Sequence, residues 1–268
     1  MPSTRIYADH AATTPARPEV VEAMLPHFIE GGFNPSSIHA EGRRARTAVD
    51  QARATIANCL HAQSKEIVFT GGGSEADNLA LFGAARANAA RGKHIISTRI
   101  EHHAVLHTLE VLAQDGWAID YLDVDEHGLV RPEAFGAALR ADTVLATIML
   151  ANNEIGTLQP IAQLARIARE RHVLFHTDAV QAPAFLTVDV AELGVDLLSI
   201  SAHKFYGPKG VGALFVAEGT PLAAHVVGGS QEFAKRAGTE NVAGIVGMAT
   251  ALELACAERE EAAGRVQA

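Results

Sequence analysis

The sequence predicts an α/β protein in which a mostly parallel sheet is covered by helices on both faces. Short apolar runs typical of buried strands alternate with longer segments whose apolar residues recur at helical spacing. Because parallel strands need crossover connections, this alternation favours a parallel sheet between two layers of helices. The 268 residues contain no internal repeat, low-complexity tract or Pro/Gly-rich linker, which indicates one main domain.

Three predicted elements come first along the chain. Arg44–Leu60 carries apolar residues at helical spacing, which predicts a helix. Glu66–Thr70 is a short apolar run that ends in glycines, which predicts a buried strand. Ser74–Arg91 is rich in alanine and leucine, begins at a serine expected to be its N-cap and stops at a glycine, so it predicts a second helix.

The remaining elements continue the alternation. Further strands are predicted over His94–Thr98, Val144–Leu150, Val173–Thr177, Leu197–Ser201 and Gly212–Val216. Further helices are predicted over His103–Gln114, Ile161–Arg171 and Thr239–Glu260. Ligands of such folds bind beyond the carboxyl ends of the strands, so we expect the functional residues in the loops that follow them.

Composition argues against several classes of protein. The chain has 22 Lys and Arg against 31 Asp and Glu, and a net charge of −9 argues against a nucleic-acid binder. Cys59 and Cys256 lie far apart without CxxC spacing, which is typical of a reduced cytoplasmic protein rather than a disulfide scaffold. We expect neither a signal peptide nor a membrane helix, because no apolar run approaches the roughly 18 residues needed.

The loop Thr70–Asn78 follows a strand and opens a helix. Its three glycines let backbone N–H groups approach a ligand, and a helix N-terminus favours an anion, so a phosphate is the expected guest. Neither a GK[ST] sequence nor GxGxxG spacing is present, which excludes the common nucleotide-binding fingerprints. A tight strand-to-helix turn without a ligand is the alternative.

Lys204 directly follows an apolar strand and is bracketed by His203 and a Gly-Pro-Lys-Gly turn. An amine in a partly desolvated site has a lowered pKa and attacks carbonyl groups, which suits Schiff-base chemistry with pyridoxal phosphate. A surface lysine is the alternative, and it is the preferred interpretation for Lys209. Asp178, at the end of another buried strand, would hold the protonated ring nitrogen of that cofactor or cap a helix, and Gln181 would reach the ring hydroxyl.

Eight motifs, in order along the chain, resemble those of the cysteine desulfurases, which are relatives of the class V aminotransferases. They are Asp9–Pro15, Asn34–His39, Glu66–Thr70 with its glycine loop, Glu101-His102, Asn152–Gly156, Asp178–Gln181, Ser201–Lys204 and Arg236–Asn241. The similarity runs from residue 6 to about residue 250. It implies the fold-type I architecture of pyridoxal-phosphate enzymes, with a mostly parallel seven-stranded sheet.

The resemblance implies a role for each matching residue. Lys204 would carry the cofactor covalently and, once released, move the substrate α-proton, while His102 would stack on the cofactor ring. The other residues implied to bind pyridoxal 5′-phosphate are Gly73, Ser74, Asn153, Asp178, Gln181, Ser201, His203 and Thr239. Thr239 matches a threonine that reaches the phosphate of the neighbouring subunit, which implies a homodimer with a shared active site.

The resemblance also implies the reaction. L-cysteine would lose its sulfur to give L-alanine and an enzyme persulfide, which a sulfur-acceptor protein would use for iron–sulfur clusters or thiolation. Asn153 would contact the substrate carboxylate, and Asn34 and His39 would lie near the substrate entrance. A selenocysteine lyase or aminotransferase, and a catalytically silent cofactor-binding dimer, are the alternatives. No metal site is expected, because His103 and His107 have no third ligand.

Two positions differ from the family pattern. Gly71 stands where the family has serine before its glycines, and Phe233-Ala234 stands where it has Arg-Gly. Neither Cys59 nor Cys256 is expected to accept sulfur, because each lies in a helical segment and resembles a small side chain that packs in the core rather than an activated thiolate.

The resemblance further implies a domain division. We expect residues 16–250 to form the cofactor-binding domain. Residues 1–15 and 251–268 would lead to a small domain that is largely missing from this sequence and that carries, in the family, the catalytic cysteine and a substrate-binding arginine.

Overall fold

The structure is a computed structural model that describes residues 6–30 and 32–267, so residues 1–5 of the predicted leading segment lie outside the described residues. The helices of this part are α1 Pro18–Met24, α2 Pro26–Ile29, α3 Ala40–Cys59, α4 Gly73–Asn88, α5 His103–Gln114, α6 Pro132–Ala138, α7 Ile161–Glu170, α8 Val190–Leu193 and α9 Val242–Gln267. The strands are β1 Ile67–Thr70, β2 His94–Thr98, β3 Ala118–Leu122, β4 Thr143–Thr147, β5 Leu174–Asp178, β6 Leu197–Ser201 and β7 Gly212–Val216.

The seven strands form one sheet in the order β1-β7-β6-β5-β4-β2-β3. Strands β2 to β6 pair in parallel, whereas β7 runs antiparallel to both of its neighbours, β6 and β1. The predicted mostly parallel, seven-stranded sheet is therefore confirmed. Strand β3 was not among the predicted segments, because it lies at the sheet edge and only part of its surface is buried.

Apolar side chains pack on both faces of this sheet. One large cluster joins α3, α6, α7 and α9 to one face, and a second joins α4 and α5 to the other. Strands β1, β2, β4, β6 and β7 are buried along their whole length, as expected for strands covered on both sides. None of the described helices is long and apolar enough to cross a membrane.

Element boundaries differ from the predicted ones where side-chain caps or short elements decide them. Helix α3 begins at Ala40 instead of Arg44, because the His39 ring accepts a hydrogen bond from Gly42 N and caps the first turn. The prediction that Ser74 caps α4 is wrong, since Gly72 is the N-cap and Ser74 lies inside the first turn. The unpredicted helices α1, α2, α6 and α8 span only four to seven residues, too few for a periodic pattern.

A buried ion pair ties α3 to β1 and accounts for the unusual residue Phe233. The Glu232 carboxylate accepts from both Nη atoms of Arg53 and from Phe69 N, each at 2.7 Å. Arg53 also donates to Ile67 O at 2.6 Å. Its guanidinium lies 4.6 Å from the Phe69 ring centroid and 5.0 Å from that of Phe233, so Phe233 contributes a cation–π contact. We call these four residues, Arg53, Phe69, Glu232 and Phe233, the arginine clamp.

Candidate active site

The loops that follow β1, β2, β4, β5 and β6, together with the N-terminal segment at Ala12 and Thr13, surround a cavity of about 640 Å³. Nine of the predicted site residues line it, namely Gly73, Ser74, His102, Asn153, Asp178, Gln181, Ser201, His203 and Lys204. Strand β7 makes this convergence possible: Gly212, its first residue, pairs with Thr70 on one side and with Ser201 on the other. The glycine loop and the lysine turn (Ala202–Lys204) therefore lie beside the same residue.

Three predicted residues do not line this cavity. Asn34 is exposed, and its side-chain oxygen accepts a hydrogen bond from Ser36 N. His39 is exposed and caps α3. Thr239 is exposed and precedes α9 by three residues.

The glycine loop forms an anion cradle at the N-terminus of the 16-residue helix α4. Gly72 has a φ of +147°, which favours glycine, and Gly73 lies so close to its neighbours that an added Cβ would be 2.9 Å from Val180 Cγ2. The Ser201 hydroxyl is buried beside it and has no hydrogen-bond partner among the described residues. Free N–H groups of a helix terminus and an unsatisfied hydroxyl together suit a phosphate group.

Arg236 braces this cradle from outside. Glu75, in the first turn of α4, accepts from Gly71 N at 2.9 Å and from Arg236 Nε at 2.7 Å. Because both partners hold the same carboxylate, the loop backbone is fixed before a ligand arrives. Neither Glu75 nor Arg236 was assigned this role from the sequence, since their contact joins segments far apart along the chain.

Lys204 points towards the N-terminal segment across the cavity. Its Nζ and the Gln181 Nε2 both donate to the carbonyl oxygen of Ala11, the latter at 3.0 Å. Partial burial lowers the pKa of the Lys204 amine, although Asp178, the nearest opposing charge, acts in the other direction. A lysine with a lowered pKa holds more neutral amine at pH 7, which is the nucleophilic form.

The N-terminal segment forms a strap over the lysine turn. Thr13 Oγ1 lies 3.0 Å from His203 Nδ1, and Thr14 donates through its N–H and its hydroxyl to His203 O, each at 2.9 Å. Asn153 lies on the opposite wall, where its amide donates to the carboxylate of Glu154 at 2.7 Å.

Asp178 and His102 face each other across the cavity floor. Asp178 is buried at the end of β5, and Val180 N donates to its Oδ1 at 2.8 Å. Burial raises the pKa of this carboxyl group, so a cationic partner in the cavity would stabilise its ionised form. The His102 ring caps α5 by accepting from Ala104 N at 3.1 Å, which fixes the ring in the cavity wall.

Beneath Asp178 lies a layer of buried ionisable groups that the sequence did not reveal. One polar side-chain atom of each of the residues Asp77, His102 and Asp178, a carboxylate oxygen or a ring nitrogen, lies within 4.8 Å of the other two. Burial and the neighbouring Asp178 raise the pKa of Asp77 well above its usual range. Burial lowers the pKa of His176 to about 3 and raises that of Glu101 to about 8. At neutral pH His176 and Glu101 are therefore mostly uncharged, whereas Asp77 and Asp178 both line the cavity and both have a raised pKa.

Lys209 also lines the cavity, at its exposed edge, whereas the stacked pair His103 and His107 lies exposed on α5. Neither cysteine lines the cavity. The α4 residue Asp77 carries a signal that could have found it, since it falls on the apolar stripe of its helix between Ala76 and Ala80.

Comparison with known proteins gives a consistent result. The family described as aminotransferase class-V matches residues 6–265. The chain is 56% identical over 256 residues to cysteine desulfurase IscS of Dictyoglomus turgidum and 52% identical to that of Methanosarcina thermophila, covering 96% of this chain in each case. It spans only 65% and 63% of the length of those two relatives.

Solved structures resemble the whole described fold. A NifS-like protein superposes with a TM-score of 0.94 at 40% identity, covering 96% of this chain and 71% of that one. A structure described as SspA in complex with cysteine gives a TM-score of 0.90 at 41% identity, covering 93% and 72%.

Proposed function

Because this chain belongs to the aminotransferase class V family, whose members depend on pyridoxal 5′-phosphate, we propose that it forms the cofactor-binding part of a cysteine desulfurase. The observation that carries the proposal is the meeting, in one cavity, of an amine with a lowered pKa, a buried carboxylate and an anion cradle with an unpartnered hydroxyl. The relatives named cysteine desulfurase and the neighbour solved with cysteine support L-cysteine as the substrate.

The residues present fit this cofactor. We propose that Gly73, Ser74, Ser201 and His203 bind its phosphate, because the cradle offers N–H and O–H donors and leaves no room for a Cβ at Gly73. Asp178 would pair with the ring nitrogen, and its raised pKa falls when that cation is bound. His102 would stack on the ring, while Asn153 and Gln181 would contact the ring hydroxyl.

The chain's own residues would then perform three tasks. Pyridoxal phosphate supplies, when bound, an electron sink for negative charge at the substrate Cα. Lys204 Nζ would attach the cofactor and, once displaced by the substrate amine, accept the Cα proton. Asn153 would orient the substrate carboxylate. The thiol that accepts sulfur would be a cysteine other than Cys59 and Cys256, because neither lies in the cavity.

Several further assignments are part of the same proposal. Thr239 would reach the phosphate of a neighbouring subunit, giving a homodimer, and Asn34 and His39 would lie near the substrate entrance of the assembled site. Residues 16–250 would form the cofactor-binding domain. The persulfide would pass to a sulfur-acceptor protein.

Cofactor binding tests the proposal first. The purified chain should bind pyridoxal phosphate and show the visible absorption of the lysine-attached cofactor, and Lys204→Ala should abolish that absorption. Lys209→Ala is the matched control, since Lys209 is exposed at the cavity edge and should keep it. Identical spectra for the Lys204→Ala variant and the unmodified chain would refute the assignment.

Product analysis tests the reaction. In the whole protein that supplies the sulfur-accepting cysteine, L-cysteine and a dithiol reductant should give L-alanine and sulfide, and a Cys59→Ser, Cys256→Ser double variant of it should form them at an unchanged rate. A keto acid instead of alanine would indicate aminotransferase activity. Cofactor binding with no product from L-cysteine would support the silent cofactor-binding alternative for this chain.

A further inference from the structure

The two cysteines of the chain meet where the end of α3 packs against α9. Cys59 is the last residue of α3, and Cys256 lies in the second half of α9. Their thiols are neighbours at this helix contact, and both side chains are half-buried against the same apolar cluster. From the sequence alone, Cys59 and Cys256 were predicted to be two unrelated small core residues, because 196 residues lie between them.

An arginine is directed at one of the two sulfur atoms. Arg259 Nη2 lies 2.9 Å from Cys256 Sγ, and its Nη1 donates to Thr187 Oγ1 at 3.1 Å. Arg259 forms no ion pair with a carboxylate within residues 6–30 and 32–267. Its charge is therefore available to the sulfur.

The surroundings make the two thiols unequal. The neighbouring Cys59 thiol lowers the pKa of the Cys256 thiol, and the charge of Arg259 and, to a smaller degree, that of His61 add to this effect. The pKa of Cys59 is raised by the neighbouring Cys256, by burial and by the carboxylate of Glu253. His61 is itself paired with Asp189. When one cysteine is a thiolate and its neighbour is still a protonated thiol, the thiolate attacks an oxidant and the neighbouring thiol then reacts with the oxidised sulfur to form a disulfide.

We propose that Cys59 and Cys256 are a peroxide-sensitive thiol pair, in which Cys256 is oxidised first and Cys59 closes a reversible disulfide between α3 and α9. The Cys256 thiolate attacks one oxygen of hydrogen peroxide, and hydroxide leaves, so that a sulfenic acid forms. The Cys59 sulfur then bonds to Cys256 Sγ and its thiol proton leaves with the departing hydroxyl as water. Both thiols together give two electrons to one peroxide, which becomes two molecules of water.

This site is separate from the proposed cofactor site. Neither cysteine lines the cavity, and residues of the glycine loop and lysine turn contribute nothing to the thiol pair. Oxidation should therefore leave binding of pyridoxal phosphate unchanged, and the outcome does not depend on the proposed desulfurase activity.

Peptide mapping tests the proposal directly. The reduced full chain is treated with a small excess of hydrogen peroxide at pH 7, blocked with iodoacetamide and digested without reductant. A peptide with a Cys59–Cys256 disulfide is expected, and both free thiols should be lost. No disulfide-linked dimer of two chains should form, and dithiothreitol should restore both thiols completely. If both cysteines instead remain alkylatable, or are linked between chains, the proposal is wrong.

Single variants test the order of events. In the Cys59→Ser variant, the serine hydroxyl keeps a donor next to Cys256, and dimedone should trap a sulfenic acid on Cys256. In the Cys256→Ser variant, hydrogen peroxide should oxidise Cys59 at least tenfold more slowly than it oxidises Cys256 in the first variant. Measured at pH 5, where the thiolate is the minor form, Arg259→Met should slow oxidation of Cys256 about tenfold, because one unit of thiol pKa then changes the thiolate content about tenfold. Arg265→Met removes the same charge from an exposed position of α9 and should change nothing. Equal rates for the Arg259 and Arg265 variants would overturn the role of Arg259. Far-UV circular dichroism verifies that each variant is folded.

Discussion

Removing Glu232 should destabilise the protein more than any surface charge substitution, because the arginine clamp is buried. The side chains of Arg53 and Glu232 are only 5% and 2% exposed. In Glu232→Ala, Arg53 keeps its bond to Ile67 O but loses both carboxylate contacts, and Phe69 N loses its acceptor. Breaking a buried pair in this way costs about 3–5 kcal/mol.

The loss can be measured as a shift in thermal or urea unfolding. For a chain of this size, each kcal/mol lowers the Tm by about 2–4 °C, so Glu232→Ala should lower it by roughly 6–20 °C. Glu218→Ala is the matched control, since Glu218 pairs with Lys65 on the surface and should cost at most about 1 kcal/mol. The double variant Arg53→Met, Glu232→Leu should recover much of the stability, because no charge is then left buried.

Two results would refute this reasoning. If Glu232→Ala unfolds within the error of Glu218→Ala, the clamp contributes nothing to stability. If the double variant is less stable than Glu232→Ala alone, the penalty does not come from the unpaired charge of Arg53.

Three further predictions concern the site and its supports. Gly212→Ala should weaken binding of pyridoxal phosphate, because an added Cβ would lie 2.7 Å from the backbone of Gly72. Equilibrium dialysis measures the affinity, and an unchanged value would contradict the role of β7 in placing the glycine loop beside the lysine turn. Asp178→Asn should weaken it about 10- to 100-fold, the worth of a charge-assisted hydrogen bond. Asp77→Asn should change it less than about threefold, because Asp77 is not the residue proposed to pair with the ring nitrogen; equal losses would contradict the assignment of that role to Asp178. Because the pKa of Glu101 is raised, the folded state keeps a proton that the unfolded state releases above pH 4.5, so this group lowers the free energy of unfolding as pH rises towards 8. Glu101→Gln should remove that loss of about 1 kcal/mol per pH unit, measured by urea unfolding at a series of pH values. If the stability of the variant and of the unmodified chain changes with pH in parallel, the prediction is wrong.

The parts of the fold and site that follow from local pattern were predictable. Buried strands such as Leu197–Ser201 are continuous apolar runs, and the residues after them, Lys204 above all, face the cavity because strand ends converge at one edge. The glycine loop was recognisable for the same reason. These features depend on neighbours within a few residues.

The parts that depend on long-range contact were not predictable. Strand β3 has a mixed pattern because it lies at the sheet edge. The cap on α4 shifted from Ser74 to Gly72 because the backbone at Gly72 takes a conformation that favours glycine. The raised pKa of Asp77 results from its burial and from the nearby Asp178 carboxylate, and the role of Phe233 depends on its contact with Arg53, 180 residues earlier.

The reversed strand β7 has a consequence for synthesis of the chain. Within the described part of the chain, strand β1, which ends in the glycine loop, has β7 as its only neighbour in the sheet, and β7 begins 142 residues after β1 ends. At about 5–20 residues per second, β1 leaves the ribosome roughly 7 to 28 s before its partner exists. During that interval its edge is open to wrong pairing. The glycine loop is therefore among the last parts of the nascent chain to fold, and the apolar strand before it stays unpaired until then.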